Sequence, residues 1–186
     1  MSGARVLGIA GWSGSGKTLL ITRLIPLLAA RGLRVATLKH AHHAFDVDVP
    51  GKDSYEHRKA GACEVIVCSA RRWVQMHELG AQAEPALAEL LRRLSPCDLV
   101  LVEGYKSESH PKLEVFRKSL DKSPLYPGDP HIVAIASDDE LPAASIPWVN
   151  LHDVPAVAQL VYERAEPLVD VLTRLERASS RPPQSP

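Results

Sequence analysis

A chain of 186 residues, 45% of them hydrophobic, can bury a full core, so one domain over residues 1–178 is the default expectation. Lysine plus arginine and aspartate plus glutamate number 22 each, which excludes a surface built as a whole for nucleic acid or an anionic membrane. No apolar run reaches the roughly 18 residues of a membrane span, the first is too short for a signal peptide, and Cys63, Cys68 and Cys97 show no C-x-x-C spacing, so a reduced, cytoplasmic protein is expected.

The first predicted strand covers about residues 4–10, around the apolar run Val6-Leu7-Gly8-Ile9-Ala10. Directly after it, Gly11-Trp12-Ser13-Gly14-Ser15-Gly16-Lys17-Thr18 fits G-x-x-x-x-G-K-[ST] at every fixed position. A helix over 17–31 follows, with Pro26 expected to kink or break it and Gly32 to cap it. Strand, glycine loop and helix in this order suit an anion: glycines admit a tight turn, and the amides and dipole of the helix start favour negative charge. Residues 33–39 read as a second strand, parallel to the first across a right-handed crossover. Residues 40–52 read as a loop leaving its carboxyl end, on the same rim as the glycine loop.

Asp53 and Ser54 start a short helix that Gly61 stops. Residues 64–69 and 72–79 read as a hairpin, with Cys68 a small core residue and Trp73 a packing residue. Residues 84–94 are an amphipathic helix with Pro85 at its first position and Leu87, Leu90, Leu91 and Leu94 on one face. Four apolar residues in sequence, Leu99 to Val102, mark a strand buried on both faces. An alternating strand at 112–117, a proline-rich loop at 118–130, a buried strand at 131–136 and a short edge strand at 146–150 follow, with Trp148 packing. Residues 154–177 are helical with a break near Pro167, and 179–186 read as a disordered tail. The class is α/β, a P-loop-like and mostly parallel twisted sheet flanked by helices, with a β-hairpin.

The glycine loop assigns Gly11, Ser13, Gly14, Ser15, Gly16, Lys17, Thr18 and Leu19 to nucleotide phosphates, with the Lys17 ammonium on the β- and γ-phosphates and the Thr18 hydroxyl on Mg²⁺. A second acid for Mg²⁺ belongs at the end of a buried neighbouring strand. Asp98 and Glu103 bracket that strand, roughly 16 Å apart at about 3.3 Å per residue, so only one reaches the rim. In a strand parallel to the first it is Glu103, and Asp98 is a turn or cap residue. Asp46 and Asp48, two residues apart, suit a switch segment that touches Mg²⁺ or the γ-phosphate. Asp138 or Asp139 can accept from guanine, or can equally cap a short helix before Pro142. His40, His42 and His43 are either a substrate-facing cluster or metal ligands, and Trp12 covers a phosphate, covers a base or packs.

Several stretches together resemble one family. They are the glycine loop, Lys39-His40-Ala41-His42-His43, Phe45-Asp46-Val47-Asp48-Val49-Pro50-Gly51-Lys52-Asp53-Ser54, Arg58-Lys59-Ala60-Gly61-Ala62, and Leu101-Val102-Glu103-Gly104-Tyr105-Lys106. The set resembles the molybdopterin-guanine dinucleotide biosynthesis adapter proteins, the MobB family, over roughly residues 5–150. The resemblance implies a homodimer that binds GTP, with weak GTPase activity. It also implies a partner, the MobA-type nucleotidyltransferase that joins GMP to molybdopterin, with molybdopterin as a further ligand. A small-molecule kinase, with Asp46 or Asp48 as base, stays open, as does a metal-delivering GTPase.

Overall fold

The computed structural model describes residues 3–41, 45–141 and 144–179; His42, His43, Pro142 and residues 180–186 lie outside them. In chain order the elements are β1 (Arg5–Ala10), α1 (Lys17–Ala30), β2 (Val35–Lys39), α2 (Asp53–Lys59), β3 (Glu64–Cys68), β4 (Trp73–His77), α3 (Leu87–Arg93), β5 (Leu99–Glu103), β6 (Lys112–Phe116), a 3₁₀ turn (Lys118–Leu120), β7 (Ile132–Ser137), β8 (Trp148–Asn150), α4 (Val154–Arg164), β9 (Glu166–Pro167) and α5 (Leu168–Ser179). They form two compact units, one of Met1–His40 with Leu87–Pro186, the other of Ala41–Ala86.

The larger unit is a sheet in the order β2-β5-β1-β6-β7-β8, with all these neighbours parallel. The two-residue β9 runs antiparallel beside the start of β1, pairing Arg5 with Pro167. Leu7 and Ile9 face the layer of α1 and α4, while Val6 faces α3 and α5. Helices on both faces explain why β1 and β5 are nearly continuous apolar runs: each strand is covered on both sides. Pro26 neither breaks nor ends α1, which is continuous through it. The helix stops where Gly32 turns left-handed at φ 82°, with its amide on Ala29 O and the Leu33 amide on Leu28 O.

The β5–β6 connection sets the interior of the sheet. Strand β1 lies between β5 and β6, so residues 104–111 must cross over it. His110, fully buried, lies against Gly8, where a Cβ would stand 2.4 Å from His110 Nε2. The alternation in β6 is real, but its polar side is not solvated: Lys112 and Glu114 are 1% and 0% exposed. The Lys112 ammonium donates to the carbonyls of Lys106 (3.1 Å) and Glu108 and pairs with Asp129 at 2.9 Å. The Glu114 carboxylate accepts the amides of Leu125 and Tyr126 at 2.7 and 2.9 Å. Coil takes the place of a helix over this strand, and its backbone groups need the charged side chains as partners.

The smaller unit holds α2 and the antiparallel hairpin β3–β4, a two-stranded sheet of its own. Two expectations fail here. Cys68 is exposed, and Trp73 is 60% exposed, because one face of the hairpin carries no covering layer within this unit. Helix α3 is also shorter than its pattern. It begins at Leu87, two residues after Pro85, and buries Leu87 and Leu91.

Candidate functional site

The rim of the larger unit is built where β1 ends. Gly11, Gly14 and Gly16 have φ of 139°, 80° and 94°, a region L-residues rarely adopt. At Gly11 space adds a second demand, since a Cβ would meet the Val115 carbonyl at 2.5 Å and the Ser15 hydroxyl at 2.8 Å. The Gly16 cap offers no side chain to the first turn of α1, so those amides are spent on no cap. Lys17 folds over the loop, its Nζ donating to the carbonyls of Gly11 (3.0 Å) and Trp12 (2.8 Å). Burial lowers its pKa, opposed by the Glu103 charge.

Register places Glu103 beside Ile9 on β1 and Lys39 on β2, all at carboxyl ends. The Thr18 hydroxyl donates to Glu103 Oε1 at 2.7 Å, and Lys39 Nζ lies 3.1 Å from the same oxygen. Hydroxyl and carboxylate are hard oxygen donors, and such a pair fits Mg²⁺ better than a transition metal. Asp98, at the other end of β5, accepts the Arg34 amide at 2.8 Å and its guanidinium, which holds the carboxyl below its usual range.

Sequence reasoning missed Arg117, the residue after β6. Its Nε donates to the Ser15 carbonyl at 3.0 Å and its Nη1 to Asp138 Oδ2 at 2.7 Å. The available signal was a cation at the carboxyl end of a predicted strand, and only the structure shows that this strand lies beside β1. Asp139 accepts the Lys118 amide and donates its own amide to the Ser137 hydroxyl, and residues 138–141 form no helix. Trp12 packs, with Nε1 on the Ser123 carbonyl at 2.8 Å, and the Lys106 ammonium lies 5.1 Å from its ring centroid. The His40 ring packs against that of Tyr105, centroids 4.7 Å apart and tilted by 41°.

Asp46 and Asp48 belong to the smaller unit. There the Arg58 guanidinium holds Asp46 (2.8 Å), Asp48 (3.1 Å) and Glu78 (2.8 Å), and Ser54 donates to Asp48 at 2.9 Å. The cluster fixes the 46–54 segment against α2. Among the described residues no group of three His, Cys, Asp or Glu side chains is arranged to hold a metal ion, and no helix is long and apolar enough to cross a membrane.

A family model described as "MobB: Molybdopterin guanine dinucleotide synthesis protein B" matches residues 6–138. The Escherichia coli (strain K12) molybdopterin-guanine dinucleotide biosynthesis adapter protein is 45% identical over 161 residues, covering 85% of this chain and 91% of its own. The Haemophilus influenzae adapter protein is 39% identical, covering 84% and 86%. A crystal structure of molybdopterin-guanine biosynthesis protein B superposes with a TM-score of 0.67 at 27% identity, over 85% of this chain and 98% of that one.

Proposed function

The chain belongs to the molybdopterin guanine dinucleotide synthesis protein B family, and from that membership we propose that it is a GTP-binding adapter in molybdenum cofactor maturation. One observation carries the nucleotide part of this reading. A glycine loop that needs its glycines, a lysine folded over it and the Thr18–Glu103 oxygen pair converge at one strand edge.

In this reading the backbone of Gly14 to Thr18 cradles the phosphates. Lys17 exchanges two loop carbonyls for phosphate oxygens, and Thr18 with Glu103 holds Mg²⁺. The bound Mg²⁺ would neutralise phosphate charge. Lys39, paired with Glu103 at 3.1 Å, keeps that carboxylate turned to the rim. Asp138 reads the base. The cations nearest the loop, Lys39, Lys106 and Arg117, already have partners, which suits slow hydrolysis in the isolated chain. Asp46 and Asp48, locked by Arg58, act as a nucleotide-sensing segment when that lock opens.

The relatives' names describe an adapter in molybdopterin-guanine dinucleotide biosynthesis, which supports a MobA-type guanylyltransferase as partner. We place the pair in the cytoplasm, with molybdopterin as a further ligand. The exposed apolar side chains of the hairpin, Ile66 (62%) and Trp73 (60%), support a homodimer. Purified guanylyltransferase given molybdopterin, GTP and this chain should transfer GMP faster than without it, and Lys17→Ala should remove the gain. An unchanged transfer rate overturns the adapter reading.

A further inference from the structure

Arg117 stands apart from the phosphate and metal roles above, yet it touches both sides of the site. It bonds the Ser15 carbonyl in the glycine loop and Oδ2 of Asp138 after β7. A guanidinium is planar, so one donor cannot swing without moving the other. The loop and Asp138 are therefore joined through one rigid group. The same carboxylate keeps an acceptor in reserve: Asp138 Oδ1 is shielded from solvent and has no hydrogen-bond partner among the described residues. Asp139 has no such reserve of position, because its bonds to Lys118 and Ser137 hold the turn.

Resting on the guanine-nucleotide reading, we propose that Arg117 is a positioning residue for base selection. It turns Asp138 Oδ1 toward the N1–H and N2 amino donors of guanine and couples base recognition to the glycine loop. An ionised carboxylate can only accept. Guanine presents two donors on that edge. Adenine presents its N1 lone pair, which the carboxylate repels, so discrimination includes a penalty against the wrong base. Without Arg117 the carboxylate turns freely and the penalty fades.

The test is calorimetry on the full chain with Mg²⁺ and four probes: GTP, ATP, XTP and inorganic tripolyphosphate. Arg117→Met should lower GTP affinity at least tenfold more than tripolyphosphate affinity, collapsing the GTP/ATP ratio. Arg117→Lys keeps the charge without the fork and should restore only part of the ratio. Asp138→Asn should shift preference from GTP to XTP, because an amide donates to the C2 carbonyl that xanthine carries. An equal loss for GTP, ATP and tripolyphosphate in Arg117→Met overturns the proposal, as does an unchanged GTP/XTP ratio in Asp138→Asn. If Arg117→Met does not fold, Arg117→Lys and Asp138→Asn decide alone. Wild type with no guanine preference overturns the underlying nucleotide reading instead, and that result is visible before any variant is measured.

Discussion

Replacing His110 with leucine should flatten the acid limb of stability. The imidazole is fully buried under the β5–β6 crossover, against Gly8, and neither ring nitrogen has a hydrogen-bond partner among the described residues. Burial, reinforced by the Lys112 charge, pushes its pKa down from 6.5 to about 3; Asp129 opposes the shift, and His131 and Arg174 add to it. The folded protein thus holds His110 neutral, while the unfolded chain takes up a proton as pH falls through 6.5. The stability tied to the neutral ring is whole above pH 6.5 and drains away as pH falls toward 3. The gap between the two titrations amounts to about 2 kcal/mol at pH 5 and about 3 kcal/mol at pH 4. Urea unfolding at pH 8, 5 and 4, with the difference taken between wild type and His110→Leu, cancels the other titrating groups. The expected result is a difference that moves by about 2 kcal/mol in favour of the variant from pH 8 to pH 5. A difference that stays constant with pH would refute the buried neutral ring, whatever its size at pH 8.

Three further outcomes follow from the same geometry. Gly8→Ala sets a Cβ 2.4 Å from His110 Nε2 and 2.8 Å from Lys112 Cγ, so urea unfolding should show a loss of about 1–3 kcal/mol, partly recovered in Gly8→Ala with His110→Ala. Lys112→Met strands the Asp129 carboxylate and two crossover carbonyls, and should cost about 3–5 kcal/mol by the same assay. Glu103→Gln should leave folding intact but weaken Mg²⁺-dependent triphosphate binding roughly 10–100-fold, seen by titrating nucleotide with and without Mg²⁺.

The parts of the site that sequence reveals are those with a strong local cause. Fixed glycines and an adjacent apolar run place the loop between β1 and α1. Parallel pairing alone selects Glu103 over Asp98, since only one end of β5 reaches the rim. What stays hidden depends on distant partners. Lys112 and Glu114 look like a solvated face until the crossover and the 118–130 coil are seen to cover it. Arg117 is an ordinary strand-end cation in sequence, and its meaning comes from residues 102 and 21 positions away. Cys68 and Trp73 sit in an apolar pattern that predicts burial, yet the hairpin stands in its own two-stranded sheet and leaves them exposed. Pro26 shows the reverse case, in which packing of Leu24 and Leu28 into the core keeps α1 whole through a residue that disfavours it.

Every role proposed for the rim depends on the glycine loop binding a guanine nucleotide through Lys17 with Mg²⁺. The decisive measurement is calorimetry of GTP against ATP, in Mg²⁺, on wild type and Lys17→Ala. The wild type should show a clear GTP preference, and the variant should lose binding. Equal or tighter binding of ATP, or a GTP affinity that survives Lys17→Ala, would contradict that binding mode.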